Sequence, residues 1–562
     1  VASLLLVTSW LAACGGTVTT SGTSDSASGV DSVIDSAATP GVTVESLGGV
    51  AVTFSHTRGR YDASFELVLS CDAADAEIRF TTDGTDPHGG DVWTGPLPVS
   101  ATTTLSAVAL LDDRPLAEPV THSFLFLDQV ADQAAPSTWP TTWWGGYSAD
   151  YAMDPELVTD GLVPALEALP IVSLVVAPFD LWGPNGIYEN PESEGVDWEV
   201  PVSLEWLGQD GDDWQVNAGL RIMGGASRNP ASSPKKALRL LFKADYGPTS
   251  LSELPLPEQT IDRWDTLVLR ARYNQSWIHW DSLQRSRGQY LRDQFARSTQ
   301  HALGRPSVSG TYVHVFLDGL YWGLYNLHPR PQASFLARLY GGEDTGYDAV
   351  NSGEAIDGDL DAWEGLHALV ERGVATDDAY AQVAAQVELD NLIDYMLLNI
   401  YLGNDDWPSH NWYAGHGRED QVGWIFFAWD TEHTLKDLAT DVTGADSAGS
   451  PARIYRRLLE HPDFVARVQE RAHEVFGEGG ALSAPVALAR FEALAEVVAP
   501  AVLAESVRWG DYRRDVHSYS NGPYELYTVD DFWTDEYARL TQEYLPQRSD
   551  VVVAQLRAAG LY

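Results

Sequence analysis

The pattern of apolar and polar positions changes character several times along this chain. It opens with a nearly unbroken apolar run, VASLLLVTSWLAAC, over 1–14. Residues 15–47 are rich in Gly, Ser, Thr and Asp and carry few large apolar side chains. Such a segment cannot bury enough surface to fold, so it predicts a disordered tether. From 48 to 128, short stretches such as ASFELVLSC, AEIRFTTDG and TTLSAVALL are strand-like, and Asp83-Gly84 signals a tight turn. That combination predicts a small all-β sandwich. A Trp/Pro/Gly-rich connector, with STWPTTWWGGYSAD at its centre, occupies 129–167.

From 168 onward the pattern is mixed. LPIVSLVVA is a buried-strand run, and KKALRLLFKADYG alternates after its first residues as a half-exposed strand would. TYVHVFLDGLYWGLYNL predicts a hairpin with Asp318-Gly319 at its turn. ELDNLIDYMLLNIYLG has helical spacing and ends at Gly403, and VGWIFFAWD returns to a strand. Beyond 451 the segments RIYRRLLE, VARVQERAHEVF, VALARFEALAEVV and YARLTQEYL are helical. The expected fold class is α+β: an N-terminal all-β sandwich, a mixed domain over 168–440, and a helical C-terminal lobe of that domain over 441–562.

Charge narrows the partners. Lys and Arg number 35 against 80 Asp and Glu, a formal charge of −45. That excludes nucleic acid and anionic membrane surfaces as general partners. It leaves room for a small polyanion gripped by a few local cations and a metal. The two cysteines, Cys14 and Cys71, exclude a disulfide framework and a cysteine zinc cluster. The string Leu11-Ala12-Ala13-Cys14 resembles a bacterial lipobox. That resemblance implies an acylated Cys14 and a membrane-anchored lipoprotein of the cell envelope, at the outer membrane or cell surface. Cys71 is then expected to be a buried small hydrophobe.

The candidate chemistry sits in NDDWPSHNWYAGHGREDQVGWIFFAWDTEHT, beginning at Asn404. Asp406 and Asn411 are spaced D-x-x-x-x-N in a loop after a helix, and Asp430 ends an apolar strand. Oxygen groups of this kind suit Mg²⁺ or Mn²⁺, which bind through one or two carboxylates plus substrate phosphates. A protein kinase uses the same inventory: one Asp for the acceptor hydroxyl, an Asn and a second Asp for metal. The spacing alone is common by chance. Upstream, Gly224, Gly225 and Ser227 form a small-residue loop ahead of Lys235 and Lys236. Its backbone N–H groups can approach a phosphate, and a lysine can reach the oxygens. The alternative is a surface hairpin with two solvated lysines.

Several ordered segments resemble one family. GLRIMGGASR, PKKALRLLFKADYG, YLRDQFA, VFLDGLYWGLYNL, YDAVNSGEAIDGD, NDDWPSHNWY and FAWDTEHT are similar to the CotH family of atypical, spore-coat-type protein kinases. The match covers 168–440, and SVRWGDY and the terminal AAGLY look like the family's C-terminal extension. IRFTTDGTDP, WTGPLPV and TTLSAVAL resemble the chitobiase/β-hexosaminidase C-terminal β-sandwich module, for which carbohydrate contact is conceivable.

The CotH resemblance implies a divergent protein-kinase-like α+β domain that uses ATP and Mg or Mn to phosphorylate Ser or Thr of a protein. It implies that Asp406 is the catalytic-loop Asp and that Asn411 and Asp430 are metal ligands, joined by Glu432. Lys235, with Gly225 and Ser227 of the preceding loop, would bind the nucleotide's phosphates, and Lys236 occupies a more variable place. Arg270, Arg292 and Asp293 match recurrent positions and read as buried ion pairs. One departure stands out. Where many relatives read Glu-Arg-Pro-Asp after the hairpin, this chain has Pro329-Arg330-Pro331-Gln332. Loss of a Glu that pairs the active-site lysine or touches metal would weaken or abolish transfer. The competing reading is therefore a non-catalytic binding or scaffold lipoprotein. Asp357, Asp359, Asp361 and Glu364 read as a solvated acidic turn. His410, His416 and His433 have no standard zinc spacing, and no G-x-S-x-G elbow points to a hydrolase.

Overall fold

The computed structural model of the chain describes residues 50–562 apart from 144, 145, 253, 255, 420, 421 and 520. Cys14, the apolar run and the tether lie outside the described residues.

The N-terminal region is a β-sandwich. Its main sheet orders Gly59–Arg60, Val120–Leu125, Thr103–Leu111, Glu77–Thr81 and Asp91–Val92, and two short strand pairs cover it. Leu67, Leu69, Leu105, Ala107 and Phe124 fill the core. Cys71 is half-buried against this core rather than fully buried. It falls just past the short strand Leu69–Ser70, where the chain turns outward.

The sandwich is seated on the next domain by saturated polar contacts. Glu205 of that domain is fully buried. Its Oε1 accepts from Arg58 Nε at 2.8 Å and from the Ser123 N–H at 3.0 Å, and its Oε2 accepts from the Ser123 hydroxyl. Arg60 donates to the carbonyls of Gly208 and Leu207 at 2.7 and 3.2 Å. The Asp83-Gly84 turn packs so closely on Val176 that a Cβ at Gly84 would lie 2.4 Å from its carbonyl oxygen. The connector is packed too: Trp139, Trp143 and Tyr151 enclose Trp322 edge-on and tilted.

The second domain begins with a closed seven-stranded barrel. In order it runs Ile171–Val175, Val200–Leu207, Trp214–Met223, Ala237–Leu241, Thr266–Arg270, Leu320–Pro329 and Thr311–Leu317. All neighbours are antiparallel except the first and last, which are parallel. Alternation sets the faces: Leu220, Ile222, Leu238, Leu240, Leu267 and Leu269 are buried in one core cluster, while Arg221, Met223, Ala237, Arg239 and Arg270 project the other way. The hairpin turns at Asp318 and Gly319, with φ of 48° and 83°, the left-handed pair that a two-residue turn requires.

A four-stranded antiparallel sheet, ordered Glu354–Asp357, Tyr347–Asn351, Trp412–Gly417, Ile425–Ala428, forms the other side of the domain. The helix Leu389–Leu402 packs on it, and every residue but Asp390 is buried. Gly403 closes the helix at φ 60°. Arg548, from the C-terminal helix Leu545–Ala558, donates to the exposed carbonyls of Ile400 and Tyr401 at 2.7 Å each. The C-terminal helices thus share one core with the residues before them.

Candidate functional site

A cleft of about 740 Å³ opens between the barrel and the four-stranded sheet. Its lining includes Gly225, Ser227 and Lys235 from the barrel side and Asp406, Asn411, Asp430 and Glu432 from the other. Charge is inverted here. Seven Arg or Lys side chains line it against five Asp or Glu, in a chain where acids outnumber bases 80 to 35.

Gly224 leaves the strand Trp214–Met223 at φ 120°, and the loop continues as a short turn over Ala226–Arg228. Lys235 and Lys236 immediately precede the strand Ala237–Leu241 rather than lying within it, and both are buried. Lys236 Nζ folds back on the loop, donating to the carbonyls of Ser227, Arg228 and Asn229 at 3.1, 2.9 and 3.3 Å. Lys235 Nζ donates to Glu505 Oε1 at 2.7 Å and to the Leu324 carbonyl at 2.6 Å. Burial pulls its pKa down, and Glu505 opposes that. Glu505 stands on the helix Val502–Trp509 and takes the Leu324 N–H on its other oxygen at 2.7 Å. Gly323 makes the approach possible: at φ 128°, a Cβ there would lie 2.7 Å from Glu505 Oε2 and 2.9 Å from Lys235 Cε.

On the opposite wall, Asp406 Oδ1 pairs with His410 Nε2 at 2.8 Å, and Oδ2 accepts from Asn411 Nδ2 at 3.0 Å. Asp405 turns away to Lys436 at 2.6 Å, so Asp406 is the acid that lines the cleft. Asn411 and Asp430 both have left-handed backbones, φ 62° and 55°. Asn and Asp tolerate that region better than other non-glycine residues, and such residues cluster at functional sites. Asp430 Oδ1 is paired with Arg270, while Oδ2 has no protein donor among the described residues. Burial pushes the Asp430 pKa up to about 6; Arg270 opposes, and Glu432, Asp293 and Asp406 add to the rise.

Glu432 is differently placed. Its Oε1 accepts from Arg270 Nε at 2.7 Å and its Oε2 from the Asn274 N–H at 3.0 Å. Beneath it, Asp293 receives Thr431 N–H at 3.0 Å, Thr431 Oγ1 at 2.9 Å and Arg297 at 2.8 Å. Arg292 pairs with Glu536 and donates to the Thr434 carbonyl at 2.8 Å. These buried pairs hold the Asp430–Glu432 segment in place.

A family model described as CotH kinase protein matches residues 220–552. The chain belongs to the CotH kinase family. A second model, the chitobiase/beta-hexosaminidase C-terminal domain, matches residues 56–121 within the sandwich. No curated protein matches the chain.

In this CotH domain Lys235 has an acidic partner although positions 329 and 332 carry no acid: it is Glu505, 270 residues downstream of Lys235. Glu505 was not singled out in the sequence; the only signal was its position just ahead of the SVRWGDY segment. Gln332 meets Arg239, accepting from its NH2 at 3.1 Å.

The residues present fit a divalent cation. No group of three or more His, Cys, Asp or Glu is arranged as a ligand cluster among the described residues. The donors are instead one open carboxylate oxygen of Asp430 and the Asn411 amide oxygen, since the Asn411 NH2 is spent on Asp406. An all-oxygen set with few protein ligands suits Mg²⁺ or Mn²⁺ completed by phosphate oxygens and water. A half-buried carboxylate whose pKa is raised by desolvation and by neighbouring acids gains from a cation.

Proposed function

We propose that the chain is a metal-dependent phosphotransferase that moves the terminal phosphoryl group of ATP to a Ser or Thr hydroxyl of a protein. The observation that carries this reading is the charge-inverted cleft, whose lining includes Lys235, itself paired with Glu505, and Asp406, Asn411 and Asp430. A bound Mg²⁺ or Mn²⁺ would supply neutralisation of the phosphate charge. Asp430 and Asn411 would hold that ion. Glu432, both oxygens engaged, positions Arg270 rather than joining the ligands. Lys235 has one N–H beyond the two it uses, since an ammonium carries three donors. Glu505 keeps that ammonium charged and aimed, and the Gly224–Ser227 loop offers backbone N–H groups. Asp406, oriented by His410 and Asn411, accepts the acceptor's hydroxyl proton as its oxygen bonds phosphorus and ADP departs. Acylated Cys14 would tether the enzyme to the envelope, and the sandwich would be its surface for carbohydrate contact.

The test is incorporation of labelled phosphate by the full chain with Mg²⁺ or Mn²⁺, beside Asp406→Ala. A general base contributes about 10²–10⁴-fold, so the variant should lose at least 10²-fold. Metal-independent labelling, or equal labelling by the variant, contradicts the proposal. One observation favours the scaffold reading instead: Lys235 Nζ is fully buried and Asp430 is already paired with Arg270. An absence of any nucleotide-induced melting shift would support it. Cys14→Ser should release the protein from membranes.

A further inference from the structure

One corner of the cleft is unused by the reaction proposed above. Arg221 and Arg239 are directly opposed on neighbouring strands, so their side chains leave the sheet on the same face. Arg330, just past the end of the strand Leu320–Pro329, lines the same cleft. Arg221 is neutralised by Glu199. Arg239 and Arg330 are not: among the described residues neither has a carboxylate within ion-pair distance. Each meets a neutral partner instead, Arg239 with Gln332 Oε1 at 3.1 Å and Arg330 Nε with the Tyr413 hydroxyl at 2.8 Å. Asp357 acts on Arg239 through space without pairing with it, and one of its oxygens accepts the Ala333 N–H at 2.9 Å.

Burying an unpaired charge is costly, and Arg239 shows the cost. Burial, with Arg330 and Arg221 adding to it, pulls its pKa down to about 9, and its Nε is a buried donor with no acceptor. A carboxylate at 332 would have neutralised it with little change of shape. In a chain carrying 80 acids, two cations lining one cavity, with no carboxylate paired to either among the described residues, mark a place kept for a ligand's negative charge. The corner is also separate from the lysine. Arg239 lies four residues beyond Lys235 and two beyond Ala237, on the far side of the Met223–Ala237 pair. At about 3.3 Å per residue that is roughly 13 Å from Lys235.

We infer that Arg239 and Arg330, with Arg221 beside them, form an oxyanion subsite of the cleft that takes a phosphate group. The guanidinium forks match phosphate oxygens in pairs. The group is either a phosphate carried by the nucleotide or free orthophosphate, and the experiment separates the two.

Inorganic orthophosphate is titrated calorimetrically into the full chain, into Gln332→Glu and into Asp405→Asn. Gln332→Glu keeps the contact with Arg239 and supplies the missing charge, so it should weaken orthophosphate binding about tenfold or more. Asp405→Asn, altered outside the cleft lining, should bind orthophosphate as the parent does. ATP is titrated in a second arm. Competition between ATP and orthophosphate, with ATP also weakened by Gln332→Glu, assigns the subsite to a nucleotide phosphate. Simultaneous binding, with ATP affinity unchanged in Gln332→Glu, assigns it to free phosphate. Absence of saturable orthophosphate binding to the parent chain overturns the inference, and so does equal affinity in Gln332→Glu. Binding alone is read, so failure of phosphoryl transfer leaves this subsite standing, and failure of the subsite leaves the transfer reading intact.

Discussion

Two regions of this molecule bury acidic groups, and they do so in opposite ways. At the seat of the sandwich, Glu205 has both oxygens filled by Arg58 and Ser123, and Ser173 closes the set through the Ser123 hydroxyl at 2.8 Å. In the cleft, among the described residues, Asp430 has an oxygen with no protein donor and Arg239 has no paired acid. Saturation leaves nothing for a ligand to complete, so Glu205 is an element of assembly. Open groups of this kind are left for water or a ligand to complete. The same contrast recurs inside the cleft. Glu432 and Asp293 are closed by arginines and backbone N–H groups and serve as framework, while Asp406 and Asp430 face the cavity.

The largest effect is expected where a closed pair is broken. Glu505→Gln strands the Lys235 ammonium in a buried site, and removing one partner of such a pair costs about 3–5 kcal/mol. The urea midpoint should fall sharply and ATP binding should fall with it. A small shift would mean that the Lys235–Glu505 pair does not hold the cleft together.

A smaller effect of the opposite sign is expected at an open group. The folded-state pKa of Asp430 lies near 6, above its ordinary value of 3.8. Its contribution to stability is therefore fully present below pH 3.8 and lost as pH rises through 6. Asp430→Asn removes that loss and should stabilise the protein at pH 8 by about 1–2 kcal/mol, while abolishing metal-dependent nucleotide binding. Denaturation at pH 5 and pH 8 checks it: the advantage of the variant should shrink at pH 5. A variant less stable at both values would place Asp430 with the framework.

The smallest effect is expected next door. Asp405 is paired outside the cleft with Lys436, and exposed pairs contribute at most about 1 kcal/mol. Asp405→Asn should change phosphate transfer less than about twofold, whereas Asp406→Ala removes it. Equal losses in the two variants would mean that the acid facing the cavity is not the one that matters.

Local chemistry was legible in the sequence and long-range pairing was not. The Asp318-Gly319 turn and the stop at Gly403 follow from backbone preferences that nearest neighbours dictate, and the structure has them. The loop carrying Asp406 and Asn411 and the strand end at Asp430 were readable for the same reason. Closure of the barrel was not, because it depends on Ile171–Val175 pairing in parallel with Thr311–Leu317, far along the chain. Helical spacing in ELDNLIDYMLLNIYLG suggested one apolar face, yet the helix is buried nearly all round. Its polar residues are absorbed by tertiary partners: Asn391 takes the Phe426 N–H at 2.6 Å, and Asp394 takes Arg305 and Arg471. Spacing alone gives Lys235 and Lys236 no separate tasks, and only the family resemblance favours Lys235; in the structure both are buried and their partners differ. Glu505 escaped notice because nothing in its own helix marks it; its meaning lies entirely in what it meets.

The most direct test of the open-valence account is calorimetric titration of ATP into the full chain with Mn²⁺, without Mn²⁺, and with Mn²⁺ for Asp430→Asn. The account predicts saturable binding in the first case and its loss in the other two. Binding that is indifferent to both the ion and the substitution, or no binding at all, would contradict it.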